Sequence, residues 1–266
     1  MKNTVIFIHG MFQNPKSWEN WIKFFKARDY ECIAPAWPMH DGEPADLRSF
    51  PPEDLGGLEL QSIVNLMEDI ATSAGEKPIV IGHSVGGLIA QLLVNRGFAK
   101  MGIAINSVAP NAMLTLDWGF MKNSALIANP FKGDDPFVMD PESFHSSFTN
   151  TLSAGESDAL WSKYAVNDSR NVLRDCMGED GELDVESTHA PLLFIGGSED
   201  QIIPPSLNQK NAEAYTDEES ITEFKEFPAR GHAICIQPGW EEVAEYVATW
   251  LSKNEKFAHQ PAESFK

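Results

Sequence analysis

The sequence has few cysteines and, relative to its acidic residues, few basic ones. Its 266 residues include three cysteines, Cys32, Cys176 and Cys235, which are too few and too widely spaced for a disulfide framework or a metal cluster. Their odd number leaves at least one free thiol, and this favours a reducing compartment. Only 20 basic residues accompany 39 acidic ones, which gives a formal net charge of −19. Nucleic acid and anionic membrane surfaces are therefore disfavoured as partners.

Long apolar runs and metal-binding patterns are absent as well. The apolar run Thr4–Ile8 turns at once into His9 and Gly10, and it is too short for a signal peptide or a membrane span. No two histidines have the spacing that is typical of metal ligands. We therefore predict a cytoplasmic protein without membrane insertion, metal or cofactor. The sequence leaves the oligomeric state open.

Short apolar runs alternate along the chain with longer segments of helical periodicity. This alternation is typical of an α/β fold, in which a mostly parallel sheet carries helices on both faces. The chain is long enough to bury a sizeable core around such a sheet. We predict about six strands, at Thr4–Ile8, Glu31–Ala34, Ile79–Ile81, Gly102–Ser107, Leu192–Ile195 and Thr222–Glu226.

The alternation is interrupted between the fourth and fifth predicted strands. Roughly 80 residues separate these strands, where a simple crossover needs a dozen or two. We predict an inserted, mainly helical cap at residues 111–189, a core formed by residues 1–110 and 190–252, and a flexible tail at residues 253–266. The cap segment is rich in aromatic residues and contains 14 acidic residues against 5 basic ones.

Ser84 lies between two glycines in the stretch Gly82-His83-Ser84-Val85-Gly86, after an apolar strand and before an apolar helix. Glycines at these positions allow a sharp turn in which the serine takes a strained conformation and exposes its hydroxyl. The first N–H groups of the helix and the positive end of its dipole would point to the same place. The pattern also occurs in ordinary loops, so a nucleophile at Ser84 requires a base, an acid and a second oxyanion donor elsewhere.

His232 is the candidate base, because it follows the sixth predicted strand in a loop at the carboxyl edge of the sheet. Of the other histidines, His9 and His83 lie inside glycine turns, where we expect local structural hydrogen bonds. The remaining four have no position at a strand end, and we expect solvated or capping roles for them: His40, His145, His189 and His259.

Asp200 is the candidate acid, because the loop after the fifth predicted strand ends in two carboxylates, Glu199 and Asp200. Glu199 stays open as the alternative, since the loop could shift by one residue. The second oxyanion donor is expected in the loop after the first strand, where Gly10 lets the chain bend sharply. The backbone N–H groups of Met11 and Val85 would then hold a tetrahedral oxyanion together.

Taken together, these elements resemble the α/β-hydrolase superfamily, in which nucleophile, acid and histidine follow in the order Ser84, Asp200, His232. The resemblance extends over nearly the whole chain and implies a mostly parallel sheet, a helical cap and cleavage of an acyl bond by water. Two departures are visible. No antiparallel strands precede the first strand, and the oxyanion loop lacks the Gly-Gly run of lipases of the hormone-sensitive type, which favours the small carboxylesterase-like branch. A serine at the elbow argues against epoxide hydrolases and haloalkane dehalogenases, which use an aspartate there.

The sequence therefore predicts a serine hydrolase that cleaves a carboxylic ester or lactone of a small to medium-sized, neutral substrate through an acyl-enzyme. The acidic cap would disfavour anionic substrates such as CoA thioesters. A non-hydrolytic enzyme with the same machinery, such as a lyase or perhydrolase, and a small-molecule receptor stay open as alternatives. Packing of the cap onto the core would account for most of its aromatic residues. The candidate pocket residues are Phe12, Trp118, Phe144, Trp161 and Ile203.

Overall fold

All six predicted strands are present and form one sheet. The computed structural model describes residues 3–110, 113 and 132–256, and every pair of neighbouring strands in it is parallel. The four central strands are buried nearly throughout, as expected of a parallel sheet covered by helices, whereas the two edge strands carry polar residues that are partly exposed. The strands are β1 (Thr4–Ile8), β2 (Glu31–Ile33), β3 (Ile79–His83), β4 (Met101–Ile105), β5 (Leu192–Gly197) and β6 (Thr222–Phe227).

β1 has the predicted bounds, and each of the other five strands differs from the predicted one by one or two residues at one end or both. The clearest case is β4, which was expected to reach Ser107 but ends at Ile105. Asn106 takes a positive φ of 42° there, a left-handed conformation that a strand cannot continue through. The side chain of Asn106 is thereby turned toward the end of β5 and the loop after β6.

The strand order is β2-β1-β3-β4-β5-β6, so the chain reverses its direction of travel across the sheet after β2. Right-handed crossovers then place helices on both faces of the sheet. The helices are α1 (Glu19–Lys26), α2 (Pro44–Ser49), α3 (Leu60–Ser73), α4 (Val85–Asn95), α5 (Ala154–Tyr164), α6 (Arg170–Cys176), α7 (Pro205–Ala214) and α8 (Trp240–Asn254). In agreement with this arrangement, α1 contacts α8, and α3 contacts α4.

The reversal has a functional consequence. In open parallel sheets, ligands bind outside the carboxyl ends of the strands at the point where the strand order reverses. Here that point lies between β1 and β3, which are direct neighbours in the sheet. The loop after β1 and the turn after β3, both singled out by the sequence, therefore meet at the same crevice.

In the described part of the segment between β4 and β5, the regular structure is helical apart from an isolated antiparallel bridge between Phe137 and Asp168, and irregular stretches join the helices. A short helical turn at Pro141–Ser143 continues as a π-helix at Phe144–Phe148, and α5 and α6 follow. This agrees with the mainly helical insertion predicted for this part of the chain, whose boundaries stay a prediction. Its residues 111–112 and 114–131 lie outside the described residues.

At the C-terminus, α8 continues to Asn254, two residues into the segment predicted as a flexible tail. Residues 257–266 of that tail lie outside the described residues. All three cysteines are free. In the described part of the chain, none of the helices combines the length and apolar character needed to cross a bilayer.

Candidate active site

Ser84 forms a strained turn between β3 and α4. Its backbone has φ 57° and ψ −120°, a conformation that is unfavourable for a residue with a side chain. Two contacts hold it there: the Ser84 N–H donates to the carbonyl of Ile105 at 3.0 Å, and its carbonyl accepts from the N–H of Val108 at 3.1 Å. The neighbouring strand β4 therefore fixes the turn that presents the hydroxyl.

The two flanking glycines are required by close backbone packing. A Cβ on Gly82 would come within 1.8 Å of the Gly86 carbonyl oxygen, and a Cβ on Gly86 within 2.2 Å of the Ile8 carbonyl oxygen. No side chain fits at either distance. The Gly-x-Ser-x-Gly pattern is thus explained by the way the turn packs on itself and on the end of β1.

The loop after β1 lies directly against Ser84. A Cβ on Gly10 would come within 2.7 Å of the Ser84 Cβ and 2.9 Å of the His83 carbonyl oxygen. The next residue, Met11, and the first residue of α4, Val85, line the same cavity as Ser84. As the first residue of the helix, Val85 has an N–H group that no helical carbonyl can accept from.

Asp200 and His232 are paired at this cavity. Nδ1 of His232 donates to Oδ2 of Asp200 at 2.7 Å, and both side chains are buried. The other carboxylate oxygen, Oδ1, accepts from the N–H groups of Ile202 and Ile203 at 2.8 and 2.9 Å. With the Nδ1 proton committed to Asp200, a neutral His232 has its lone pair on Nε2. His232 and Ser84 line the same cavity.

Glu199, the alternative acid, has a different environment. Its side chain is exposed and accepts a hydrogen bond from the hydroxyl of its neighbour Ser198 at 3.2 Å. Its carbonyl accepts from the side-chain amide of Asn150 at 2.9 Å. The structure therefore brings Asp200, and not Glu199, to His232.

Two buried polar residues that the sequence did not assign to the site hold the loop of His232. Asn106 donates from its amide to the Gly231 carbonyl at 3.1 Å and accepts from the Gly197 N–H at 2.8 Å, so it ties this loop to the end of β5. His83 donates from Nε2 to the His232 carbonyl at 2.8 Å. Burial, with a contribution from His232, lowers the pKa of His83 well below its usual value. The contact between His83 and His232 is not the local bond expected from the sequence.

The expectation for His40 is wrong, because this histidine is neither solvated nor capping. It is buried, and its Nε2 lies 3.4 Å from Oδ2 of the equally buried Asp168. His9 follows the expectation, since its Nδ1 bonds to the carbonyl of Gly10 at 2.9 Å. His259 lies outside the described residues. Among the residues that the structure describes, no three His, Cys, Asp or Glu side chains converge as metal ligands.

The cavity at Ser84 is small and apolar. It has a volume of about 30 Å³, enough for one or two waters. Besides Ser84 and His232, its lining consists of Met11, Phe12, Val85, Val108, Met139, Phe148, Leu173, Ile202 and Ile203. Five of these residues were not identified from the sequence, because their approach to Ser84 depends on how distant segments pack: Val108, Met139, Phe148, Leu173 and Ile202.

Of the five candidate pocket residues, Phe12 and Ile203 line the cavity. Phe144 lies behind it and stacks on Phe148 with ring centroids 4.7 Å apart, because Phe148 occupies the position next to His232. Trp161 also lies behind it and donates from its indole N–H to the carbonyl of Met139 at 2.7 Å. Trp118 falls outside the described residues.

A larger cavity, of about 460 Å³, opens elsewhere on the surface between Met39 and Asp134. It contains the hydroxyl of Ser62 and several carboxylates but no histidine, so the serine there has no base. The smaller cavity is the better candidate, since it combines a strained serine with a paired histidine.

Comparison with known proteins identifies the family and the fold. The sequence profile of the alpha/beta hydrolase family matches residues 5–246. The chain is 24% identical to the non-heme chloroperoxidase CPO-A1 of Kitasatospora aureofaciens over 258 residues, which are 90% of this chain and 88% of that protein. It is 27% identical over 181 residues to the "Putative esterase/lipase 3" of Mycoplasma genitalium, covering 65% of this chain and 60% of that one.

Solved structures share the fold at low identity. A monoacylglycerol lipase of Paleococcus ferrophilus has a TM-score of 0.68 and 18% identity, with 94% of each chain covered. The methylketone synthase I of tomato, in complex with 2-tridecanone, has a TM-score of 0.68 and 14% identity, with 96% of this chain and 99% of that chain covered. Since the family profile spans most of the chain and the sheet has the matching architecture, the protein belongs to the alpha/beta hydrolase family.

Proposed function

We propose that this protein is a serine hydrolase that cleaves a neutral carboxylic ester or lactone through an acyl-enzyme on Ser84. The observation that carries the proposal is the His232–Asp200 pair, bonded at 2.7 Å, in the same apolar cavity as a serine with a φ of 57°. A hydrolase of this family needs such a base beside its nucleophile. The esterase/lipase name of the Mycoplasma genitalium relative is consistent with this activity.

The reaction proceeds in two halves. In the first, Nε2 of His232 takes the proton of the Ser84 hydroxyl as its oxygen attacks the ester carbonyl, and the N–H groups of Met11 and Val85 stabilise the oxyanion. The imidazolium then gives its proton to the departing alcohol, which leaves the acyl group on Ser84. In the second half, His232 activates a water that releases the acid and restores the serine. Asp200 keeps the Nδ1–H of His232 in place throughout.

The lining of the cavity favours an uncharged substrate. Apart from His232, every side chain named in it is apolar or a hydroxyl, so a charged substituent would be desolvated there without a partner. The net charge of −19 adds a long-range repulsion against anions. We therefore expect neutral acyl esters to react faster than CoA thioesters of the same acyl group.

The test is turnover of p-nitrophenyl esters and lactones by the wild type, Ser84→Ala and the matched control Ser62→Ala. Ser62 lies on α3, is exposed and contacts no part of the candidate site. Ser84→Ala should reduce kcat/KM by about 10⁴-fold or more, while Ser62→Ala retains full activity. Equal turnover by the wild type and Ser84→Ala would contradict the proposal. Labelling by a fluorophosphonate, read by mass spectrometry, should modify Ser84 alone.

Perhydrolysis is a second candidate. It is favoured by the name of the chloroperoxidase relative, because the match covers 88% of that protein. In that reaction hydrogen peroxide replaces water as the nucleophile that attacks the acyl-enzyme, and a peracid leaves instead of an acid. Both reactions require Ser84, so the variant does not separate them. The product separates them. If the rate of peracid formation from an ester and peroxide exceeds the rate of acid formation from the same ester and water, the protein is a perhydrolase.

A further inference from the structure

Asp168 connects the segment that follows α5 to the loop after β1. Its carboxylate is fully buried, and Oδ2 accepts a hydrogen bond from the backbone N–H of Phe12 at 2.9 Å. The carbonyl of the same residue, Phe12, accepts from the N–H of Val166 at 3.0 Å. Both backbone polar groups of Phe12 are thus satisfied by a segment that lies more than 150 residues away in the chain.

This contact is made at a strained point of the loop. Phe12 has a φ of 63°, a left-handed conformation that costs a bulky residue about 1–2 kcal/mol and persists only where surrounding contacts hold it. The bond to Asp168 fixes the peptide unit between Met11 and Phe12. On the other side, Gly10 is pressed against Ser84. Met11, the proposed oxyanion donor, is therefore held between two constrained neighbours.

The charge of Asp168 has a partner. Nε2 of His40 lies 3.4 Å from its Oδ2, and Nδ1 of His40 donates to the carbonyl of Pro38 at 2.9 Å. Burial by itself would lower the pKa of His40, but the charge of Asp168, the hydrogen bond to its carboxylate and the bond to the Pro38 carbonyl together outweigh burial and raise that pKa above its usual value. His9 also faces the pair, and its ring centroid lies 5.6 Å from that of His40. Burial and the charge of His40 lower the pKa of His9, which stays neutral.

We propose that Asp168, with His40 as its buried counter-ion, is a positioning residue that holds the Met11–Phe12 peptide so that the Met11 N–H faces the oxyanion. This rests on the proposed acyl chemistry at Ser84. Its consequence is selective: loss of Asp168 should weaken binding of the tetrahedral species and leave binding of the uncharged ground state almost unchanged.

The experiment compares two ligands with the same acyl chain. A trifluoromethyl ketone adds the Ser84 hydroxyl to form a hemiketal oxyanion, whereas the matching methyl ketone resembles the ground state. Inhibition constants for both are measured with the wild type, Asp168→Asn, Asp168→Ala and His40→Gln. The matched control is Asp158→Asn, which removes the same charge from an exposed position on α5.

Asp168→Ala should weaken binding of the trifluoromethyl ketone by about 100-fold or more, which is the loss expected for one oxyanion donor. The inhibition constant of the methyl ketone should change by less than twofold. Asp168→Asn, which retains an oxygen that can accept from Phe12, should recover part of this loss, and His40→Gln should show an intermediate loss. Asp158→Asn should match the wild type. If both ligands weaken equally in Asp168→Asn and Asp168→Ala, or neither weakens, the proposal is overturned.

Hydrogen exchange of the Phe12 amide gives a measurement that does not depend on the acyl chemistry, and its wild-type value does not depend on folding of the variants. In the wild type this amide should exchange slowly despite lying in a loop, and in Asp168→Asn it should exchange at least tenfold faster. Rapid exchange in the wild type would overturn the role of Asp168. A wild type that has slow exchange but neither ester turnover nor trifluoromethyl ketone binding would instead refute the proposed function.

Discussion

Gly10 and Ser84 are in such close contact that a single methyl group on Gly10 would lie 2.7 Å from the Ser84 Cβ. Gly10→Ala must therefore push the loop after β1 away from Ser84. Because a displaced Met11 N–H no longer reaches the oxyanion, we expect kcat/KM for an activated ester to fall by about 100-fold. The measurement is ester turnover alongside thermal unfolding.

The control for this substitution is Gly155→Ala, since a Cβ on Gly155 meets no atom within 4 Å. This variant should keep wild-type turnover. Full activity in a folded Gly10→Ala protein would mean that the loop after β1 contributes no donor to the reaction.

Asn106 joins three segments, and its removal should affect both stability and turnover. Asn106→Gly accepts the positive φ of 42° but loses the bonds to the Gly231 carbonyl and the Gly197 N–H. We expect a loss of about 2–3 kcal/mol in the free energy of unfolding and a fall in kcat, because the loop that carries His232 loses its anchor. Denaturant unfolding and ester turnover measure the two effects.

Asn95→Gly is the comparison for Asn106→Gly. Asn95 is half-buried at the end of α4 and bonds to Asp184 and Ser187, far from the candidate site along the sheet. The Asn95→Gly substitution should lower the free energy of unfolding without lowering kcat. A fall in kcat of the same size in both variants would assign the Asn106 effect to general destabilisation.

Leu173 should restrict the length of the acyl chain. It is buried and lines the cavity of about 30 Å³ beside Ser84. Leu173→Ala removes enough volume for about two methylene groups, each worth about 0.8 kcal/mol when buried. We expect kcat/KM for an octanoyl ester to rise by about tenfold relative to a butanoyl ester.

The same truncation at Leu66, on the half-buried side of α3, should leave the ratio of octanoyl to butanoyl turnover unchanged. Met139→Ala, which also enlarges the cavity, should shift the ratio in the same direction as Leu173→Ala. If neither cavity variant changes the ratio, the acyl chain does not bind at this lining.

The free energy of unfolding should fall on the acid side because of buried neutral histidines. Burial and neighbouring histidines lower the pKa of His9 and His83 well below the usual value of 6.5. The unfolded chain binds these protons and the folded protein does not. Stability should therefore decline below about pH 6.5, by up to about 1.4 kcal/mol per pH unit for each histidine.

His40 should have the opposite effect on the alkaline side. Its pKa is raised in the folded protein, so its stabilising contribution is complete below the unfolded value of 6.5 and is lost as the pH rises through the folded value. Denaturant unfolding between about pH 5.5 and 8.5 measures the acid and the alkaline decline in the free energy of unfolding. His40→Gln should flatten the alkaline decline and leave the acid one, and an unchanged alkaline decline would contradict this assignment.

The sequence predicted the parts of the site whose chemistry and spacing are local. Glycines at positions 10, 82 and 86 are needed because backbone segments approach too closely for a side chain. Candidate residues at strand ends, such as Asp200 and His232, could be selected because parallel strands end at one edge of a sheet. The choice between Glu199 and Asp200 could not be made, since one residue in a loop decides which carboxylate meets the imidazole.

The residues that the sequence missed act through distant contacts. Phe12 and Asp168 are 156 positions apart, and His83 and His232 are 149 positions apart. His40 has no motif around it, and its role depends on Asp168 being buried beside it. No periodicity or spacing encodes such a pair, because its partners meet only when the segment between β4 and β5 packs against the loops that follow β1 and β2.

The sequence by itself determined the α/β architecture, the six strands and the sharp turn at Ser84, because apolar periodicity and obligatory glycines are properties of short segments. Only the tertiary structure decided what surrounds that turn. It buried the Asp168–His40 pair behind the loop after β1, tied the loop of His232 to Asn106 and lined the cavity with Met139, Phe148 and Leu173. The physical reason is that buried polar groups and apolar side chains find their partners by packing, across any separation in sequence.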